Sequence, residues 1–241
     1  MTLDATIAAN LQDVGARIGA AARRAGRAPD DVRLVAVSKT FGSDYVRAAH
    51  GAGQRDFGEN KVQEALQKIS ETADIEVRWH LIGHLQSNKA KKAAVSFACI
   101  HSVDSVELVG RLDAAAGAQG ACPEILIQVD LAGEATKFGA DVSDARRLLD
   151  AALAARAVRL AGLMLIPPWN EDQEQTRPWF VRLRELRDRW LSDGVPAAAL
   201  RHLSMGMSHD FEAAIEEGAT LVRVGTAIFG KRTPGLEPPG G

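Results

Sequence analysis

The chain has 241 residues, 46% of them hydrophobic and 25% charged, with a formal net charge of −2. That length suits one large domain, and the near-balanced charge argues against a nucleic-acid or membrane-surface partner, either of which favours a basic excess. No apolar run approaches the roughly 18 residues of a membrane span, and Met1–Asn10 lacks the basic start and apolar core of a secretion signal.

In chain order, Leu3, Ile7, Leu11, Val14 and Ile18 recur at spacings of three and four. This predicts a helix over 3–26, with Gly26 where a C-terminal cap falls. Beyond Pro29 the pattern changes to short apolar runs, each followed by an amphipathic stretch. Leu34–Ser38 precedes a helix over 43–52, Asp56–Gly58 one from Lys61, and Trp79–Gly83 one from Ser87. Cys99–Val103 leads to a helix from Ser105, and Ile125–Val129 to one over 143–155. Leu163–Ile166 precedes a long helix over 171–191, Leu200–Met205 one over 209–217, and Leu221–Val224 a short closing helix near Ala227.

Eight strand–helix units are what a closed parallel barrel needs, and strands covered on both faces read as apolar runs without polar alternation. The predicted fold is therefore α/β: a single (β/α)8 TIM barrel over 1–232 with an extra N-terminal helix. Residues 233–241, rich in Pro and Gly, are expected to form a flexible tail. Cys99 lies in an apolar run and Cys122 precedes Pro123, with no metal-like spacing between them. Both read as free thiols, and the expected location is the cytoplasm.

In such a barrel the working face lies at the C-terminal strand ends. These ends carry Ser38-Lys39, Glu59-Asn60, His84, Asp104, Asp130, Ser204-Met205-Gly206 and Arg223-Val224-Gly225-Thr226. Lys39 is either a side chain snorkelling from the rim or an amine that burial and nearby cations free of its proton, able to form a Schiff base. Arg223, among Leu221, Val222 and Val224, either pairs with a carboxylate of an adjacent strand or turns its planar donor set to a ring nitrogen or an anion.

Ser208 is a good helix N-cap, and Asp210 suits a first turn. Alternatively, Gly206 lets the backbone come close to a ligand, and the N–H groups that follow suit a phosphate. Gly225-Thr226 offers the same after the last strand, and barrels of this kind frequently bind phosphate after strands seven and eight. His80 and His84, four apart, lack the third ligand that a metal site requires. Lys89, Lys91 and Lys92 read as a solvated helix face. Glu134 and Lys137 follow the fifth strand, and Lys137 is either a second amine near the site or an ordinary loop lysine.

Ala36-Val37-Ser38-Lys39-Thr40, Phe57-Gly58-Glu59-Asn60 and His80-Leu81-Ile82-Gly83-His84-Leu85-Gln86-Ser87-Asn88-Lys89 resemble segments of the YggS/PROSC-type pyridoxal phosphate homeostasis proteins. So do Gly206-Met207-Ser208 with Asp210, and Arg223-Val224-Gly225-Thr226-Ala227-Ile228-Phe229-Gly230. The resemblance runs from about residue 34 to 230 and implies a barrel like the N-terminal domain of alanine racemases, with pyridoxal 5′-phosphate, a form of vitamin B6, at the strand ends. Lys39 is then the Schiff-base lysine and Arg223 the partner of the pyridine nitrogen. Met207, Ser208, Gly225 and Thr226 hold the phosphate, and Asn60 and His84 are pocket residues. Phe41-Gly42 departs from the pattern, since many members have a basic residue and a proline there.

The resemblance also implies storage and delivery of the cofactor rather than an amino-acid reaction. An arginine cannot accept a proton from the ring nitrogen, as a carboxylate can. Racemases of this fold take a tyrosine base from an additional C-terminal domain of a partner subunit. This chain is expected to lack it, since its sole tyrosine is Tyr45. A racemase or barrel aldolase, and a docking protein for pyridoxal-phosphate-dependent apo-enzymes, remain the alternatives. A monomer is expected, with no metal.

Overall fold

The apolar runs become strands because both their faces are covered, by helices outside the ring and by side chains within it. The computed structural model describes residues 1–133 and 138–231. Glu134, Lys137 and the tail over 233–241 lie outside these. Strands β1 (Arg33–Val37), β2 (Asp56–Glu59), β3 (Arg78–Leu81), β4 (Cys99–Val103), β5 (Glu124–Gln128), β6 (Arg159–Met164), β7 (His202–Met207) and β8 (Leu221–Val224) form a closed parallel barrel in sequence order. At the closing seam β1 pairs with β8, Val35 opposite Arg223 and Ala36 opposite Val224. The predicted (β/α)8 architecture is the one observed.

Helices α1 (Leu3–Arg24), α2 (Ser43–Gly51), α3 (Val62–Glu71), α4 (Ala90–Ser96), α5 (Val106–Gln119), α6 (Val142–Ala154), α7 (Arg177–Ser192), α8 (Phe211–Glu216) and α9 (Thr226–Phe229) surround the ring. The main core lies between strands and helices, while Val35, Cys99, Leu126, Ala161, Met164 and Leu221 form a separate small cluster that strand alternation turns inward. Helix α1 buries Ile7, Val14, Ile18, Ala21 and Ala22. It is fastened to the last two units of the barrel: Asn10 donates to the Ile228 carbonyl at 2.8 Å, and Arg17 and Arg24 pair with Glu212 and Glu216.

Most element positions follow the predicted order, with two instructive shifts. Strand β6 starts four residues before the predicted Leu163, because Arg159–Gly162 is weakly apolar yet essential to pairing. A Cβ on Gly162 would lie 2.0 Å from the His202 carbonyl oxygen, so glycine lets β7 approach. Helix α7 starts at Arg177 rather than near 171, after a short 3-10 turn over Gln173–Gln175 whose start Asp172 caps through the Glu174 amide. Among the described residues no helix is long and apolar enough to cross a membrane.

Candidate functional site

A cavity of about 640 Å³ opens at the C-terminal ends of the strands. Lys39, Asn60, His84, Met207, Ser208, Arg223, Gly225 and Thr226 all line it. The strand-end rule thus brings together residues that lie up to 187 positions apart in the chain.

Lys39 sits in a tight turn closed by the Phe41 amide donating to the Ser38 carbonyl at 3.1 Å. It is exposed at the cavity rim, so the reading of a buried amine does not hold; snorkelling describes its position. The next residue, Thr40, has φ of 69°, which is uncommon for a β-branched side chain and carries local strain. The turn is held from below. Buried Ser38 donates to Glu59 Oε1 at 2.6 Å, and Lys68 Nζ donates to that same oxygen at 2.6 Å and to the Ser38 carbonyl at 2.8 Å. Glu59, expected on the working face, is therefore a buried anchor paired with a lysine that reads in sequence as part of an amphipathic helix. Phe41 packs on Tyr45 and Phe229 with ring centroids 4.8 and 5.5 Å apart, which gives the unusual Phe41-Gly42 segment an aromatic seat.

The turns after β7 and β8 are stitched to each other. Ser208 is not the cap of α8. Its hydroxyl accepts from the Gly225 amide at 3.2 Å and the Ala227 amide at 3.5 Å, across the gap between the two turns. The N-cap position belongs to Asp210, whose carboxylate accepts from the Met207 amide at 2.7 Å. Met207 therefore lines the cavity with its backbone N–H already engaged. Burial pushes the Asp210 carboxyl above its usual range, while the Met207 amide and Arg223 pull the other way. Gly206 serves packing rather than ligand approach: a Cβ there would lie 2.6 Å from the Ala214 Cβ and 2.9 Å from the Phe211 Cα. Gly225 does meet a close approach, since a Cβ would lie 3.1 Å from the Val37 carbonyl oxygen.

Arg223 is buried, and the expected alternative of a carboxylate partner is overturned. Its guanidinium donates to Ser204 Oγ at 2.6 Å and to the Leu165 carbonyl at 2.9 Å, and among the described residues it makes no ion pair. Burial lowers its pKa to about 10, with Asp210 acting in the opposite sense, so it stays charged near neutrality. Ser204 lies beneath the cavity rather than on its face. Its oxygen is 2.8 Å from His101 Nδ1; His101 Nε2 is 2.9 Å from His80 Nδ1; His80 Nε2 is 2.9 Å from Asp56 Oδ1. Sequence reasoning missed this series, although a histidine inside Cys99–Val103, a strand buried throughout, was a visible sign.

His80 and His84 do not face one another. His80 enters this interior series, whereas His84 stands at the cavity with Nδ1 3.5 Å from Asp104 Oδ2 and its ring stacked on Phe138, centroids 3.6 Å apart. Gly83 makes room here, because a Cβ would lie 2.3 Å from the Asn60 carbonyl oxygen. Among the described residues His80, Cys99 and His101 bring metal-type donor atoms within 4.8 Å of one another, but two of those ring nitrogens are bonded to each other. Among the described residues the site thus offers one rim amine, one buried cation and a cup of turn amides and hydroxyls.

Residues 9–233 match the family model described as alanine racemase, N-terminal domain. The pyridoxal phosphate homeostasis protein of Pseudomonas aeruginosa is 47% identical over 95% of this chain and 97% of its own length. That of Aquifex aeolicus is 42% identical over 92% and 96%. This chain belongs to the pyridoxal phosphate homeostasis protein family. Among solved structures, PipY of Synechococcus elongatus PCC7942, with PLP bound, superposes with a TM-score of 0.81 at 41% identity, covering 93% of this chain and all of that one. An alanine racemase from Bartonella henselae shares the fold at 17% identity, with a TM-score of 0.70 over 95% of this chain and 60% of that one.

Proposed function

We propose that this family member binds pyridoxal 5′-phosphate in the cavity and serves its homeostasis by holding and releasing it, without transforming amino acids. The observation that carries the reading is Arg223: a buried cation with no ion-pair partner among the described residues, which lines the same cavity as Lys39 and the Ser208–Gly225 cup. The donor set fits the cofactor. A guanidinium can only donate, which suits the lone pair of a ring nitrogen, and hydroxyls and turn amides suit a phosphate. The solved PipY structure with PLP bound supports the assignment by similarity.

Bound pyridoxal phosphate supplies an aldehyde for reversible condensation with amines, and an electron sink that is strongest when its ring nitrogen is protonated. Arg223 opposes that protonation by presenting an N–H of its own. Lys39 waits at the rim, open to amines arriving from solvent, which suits exchange. Tyr45 packs against Phe41 and Phe229 and does not line the cavity, so it provides no phenol for proton transfer there. Ser208, Gly225 and Thr226 would hold the phosphate, while Asn60 and His84 line the same cavity.

Purified protein incubated with pyridoxal phosphate should acquire a visible absorption band that hydride reduction abolishes, with the label mapped to Lys39. Single enantiomers of several amino acids should keep their optical rotation in its presence. A colourless, unlabelled protein would overturn the binding reading, and sustained racemisation would overturn the non-enzymatic one.

A further inference from the structure

A buried guanidinium with no ion-pair partner among the described residues needs some other means of holding its place. Resting on the cofactor reading of the cavity, we infer that Ser204, His101, His80 and Asp56 form a one-way hydrogen-bond column that fixes Arg223 as a permanent donor and closes the interior route by which a proton could reach the ring nitrogen.

The direction follows from the two ends. Arg223 can only donate, so Ser204 Oγ accepts at 2.6 Å. Asp56 is ionised and can only accept: burial would raise its carboxyl, but hydrogen bonds from Arg78 and His80 outweigh this and hold it well below the usual range. His80 must therefore donate from Nε2 to Asp56, which in a neutral ring leaves Nδ1 as an acceptor for His101 Nε2–H. His101 Nδ1 is then the acceptor for the one hydrogen that Ser204 has to give. Reversing the histidines would set an unprotonated nitrogen against a carboxylate at 2.9 Å.

Counting hydrogens gives the functional consequence. The column has four links, Arg223–Ser204, Ser204–His101, His101–His80 and His80–Asp56, and each holds one hydrogen, supplied by Arg223, Ser204, His101 and His80 in turn. One more proton on either ring would put two hydrogens into a single link. At His101 the surroundings disfavour it as well. His101 is held well below the ordinary imidazole range by burial first, then by His80, Arg223 and His202. The charged and titratable groups acting around the two rings are Asp56 from β2 with Arg78 bonded to it, Cys99 from β4, His202 from β7 and Arg223 from β8, while Glu124, Arg201 and Arg33 act on Cys99 and His202. Arg78 grips Asp56 with two hydrogen bonds, at 2.8 and 2.5 Å, from a half-exposed position at the start of β3. The column therefore runs from the cavity through the barrel interior to an ion pair at the other end, with Ser204, His101, His80 and Asp56 all buried.

The test has two arms. In protein labelled with 15N-histidine and free of pyridoxal phosphate, long-range 1H–15N spectra should show both His80 and His101 protonated at Nε2 and bare at Nδ1, with His101 still neutral at pH 5. A ring protonated at Nδ1, or a His101 imidazolium at pH 6, would overturn the column. In the second arm, Ser204→Ala should weaken retention of pyridoxal phosphate by about tenfold or more and shift the visible band, while Ser204→Thr, which keeps the hydroxyl, restores both. Wild-type behaviour in Ser204→Ala, or a Thr variant that matches Ala, would overturn Arg223 positioning. A wild-type protein that took up no pyridoxal phosphate would overturn the cofactor reading instead, whereas the ring-nitrogen pattern of the unloaded protein decides the column by itself.

Discussion

The Ser208 hydroxyl accepts the Gly225 amide hydrogen at 3.2 Å, so the turn after β7 and the turn after β8 share one atom at the wall of the cavity. In the proposed function that oxygen also serves the phosphate. Ser208→Ala is expected to reduce pyridoxal phosphate affinity by roughly tenfold, the loss of a charge-assisted hydrogen bond. Affinity for pyridoxal, which lacks the phosphate, should change far less. Parallel absorbance titrations with the two compounds give the comparison, and equal losses for both would count against a phosphate role.

Lys39 is exposed, and among the described residues its side chain has no hydrogen bond or ion pair. Lys39→Ala should eliminate the hydride-reducible label found by mass spectrometry yet leave unfolding free energy within about 0.5 kcal/mol of wild type. Residual, non-covalent binding through Arg223 and the turns is expected in equilibrium dialysis.

Thr40 holds a left-handed backbone, φ 69°, beside the rim amine. Thr40→Gly removes steric strain but adds freedom to the unfolded chain, and the two effects partly cancel. A net stabilisation of about 0.5–1 kcal/mol in urea melts is expected, together with slower labelling of Lys39 as the turn loosens. A destabilised Gly variant would show that the strain is not stored here.

Acid should destabilise the protein through its buried imidazoles. His101 is depressed well below the ordinary range, by burial first, and His202 is pushed down to about 4, by burial and then Arg201. The unfolded chain takes up these protons near pH 6.5 while the folded chain refuses them. This stabilisation is complete above that pH and declines as pH falls towards the folded values. His101, fully buried, contributes the larger share of this loss, and His202, partly exposed, adds less. Asp56 has linkage of the same sign in a lower window: its folded value is depressed, so its contribution stands above about pH 4 and is lost only in stronger acid. Urea unfolding at pH 7 and pH 5 would measure this, and His101→Gln should flatten the slope by close to one proton.

The architecture was legible because strand-covering helices leave a simple alternation of short apolar and longer amphipathic runs. The rim residues were legible because barrel topology places every strand end on one face. Contacts made across the ring were not. Whether Ser208 caps its own helix or reaches Gly225, and whether Gly206 serves a ligand or Ala214, depends on which segments lie opposite. Periodicity carries no such information. The interior series was hidden for a related reason: Asp56, His80, His101 and Ser204 come from four strands, and each reads alone as an isolated polar residue in an apolar run.

The seam between β1 and β8 has a consequence for how the protein matures. Lys39 follows the first strand and Arg223 lies in the last, and only the pairing of Val35 with Arg223 brings their strands side by side. During synthesis the ribosome delivers one long before the other, so a half-made chain has no place for the vitamer. Ligand capture then reports that the ring has shut, and an excess of vitamer would favour the finished product over any open precursor by mass action.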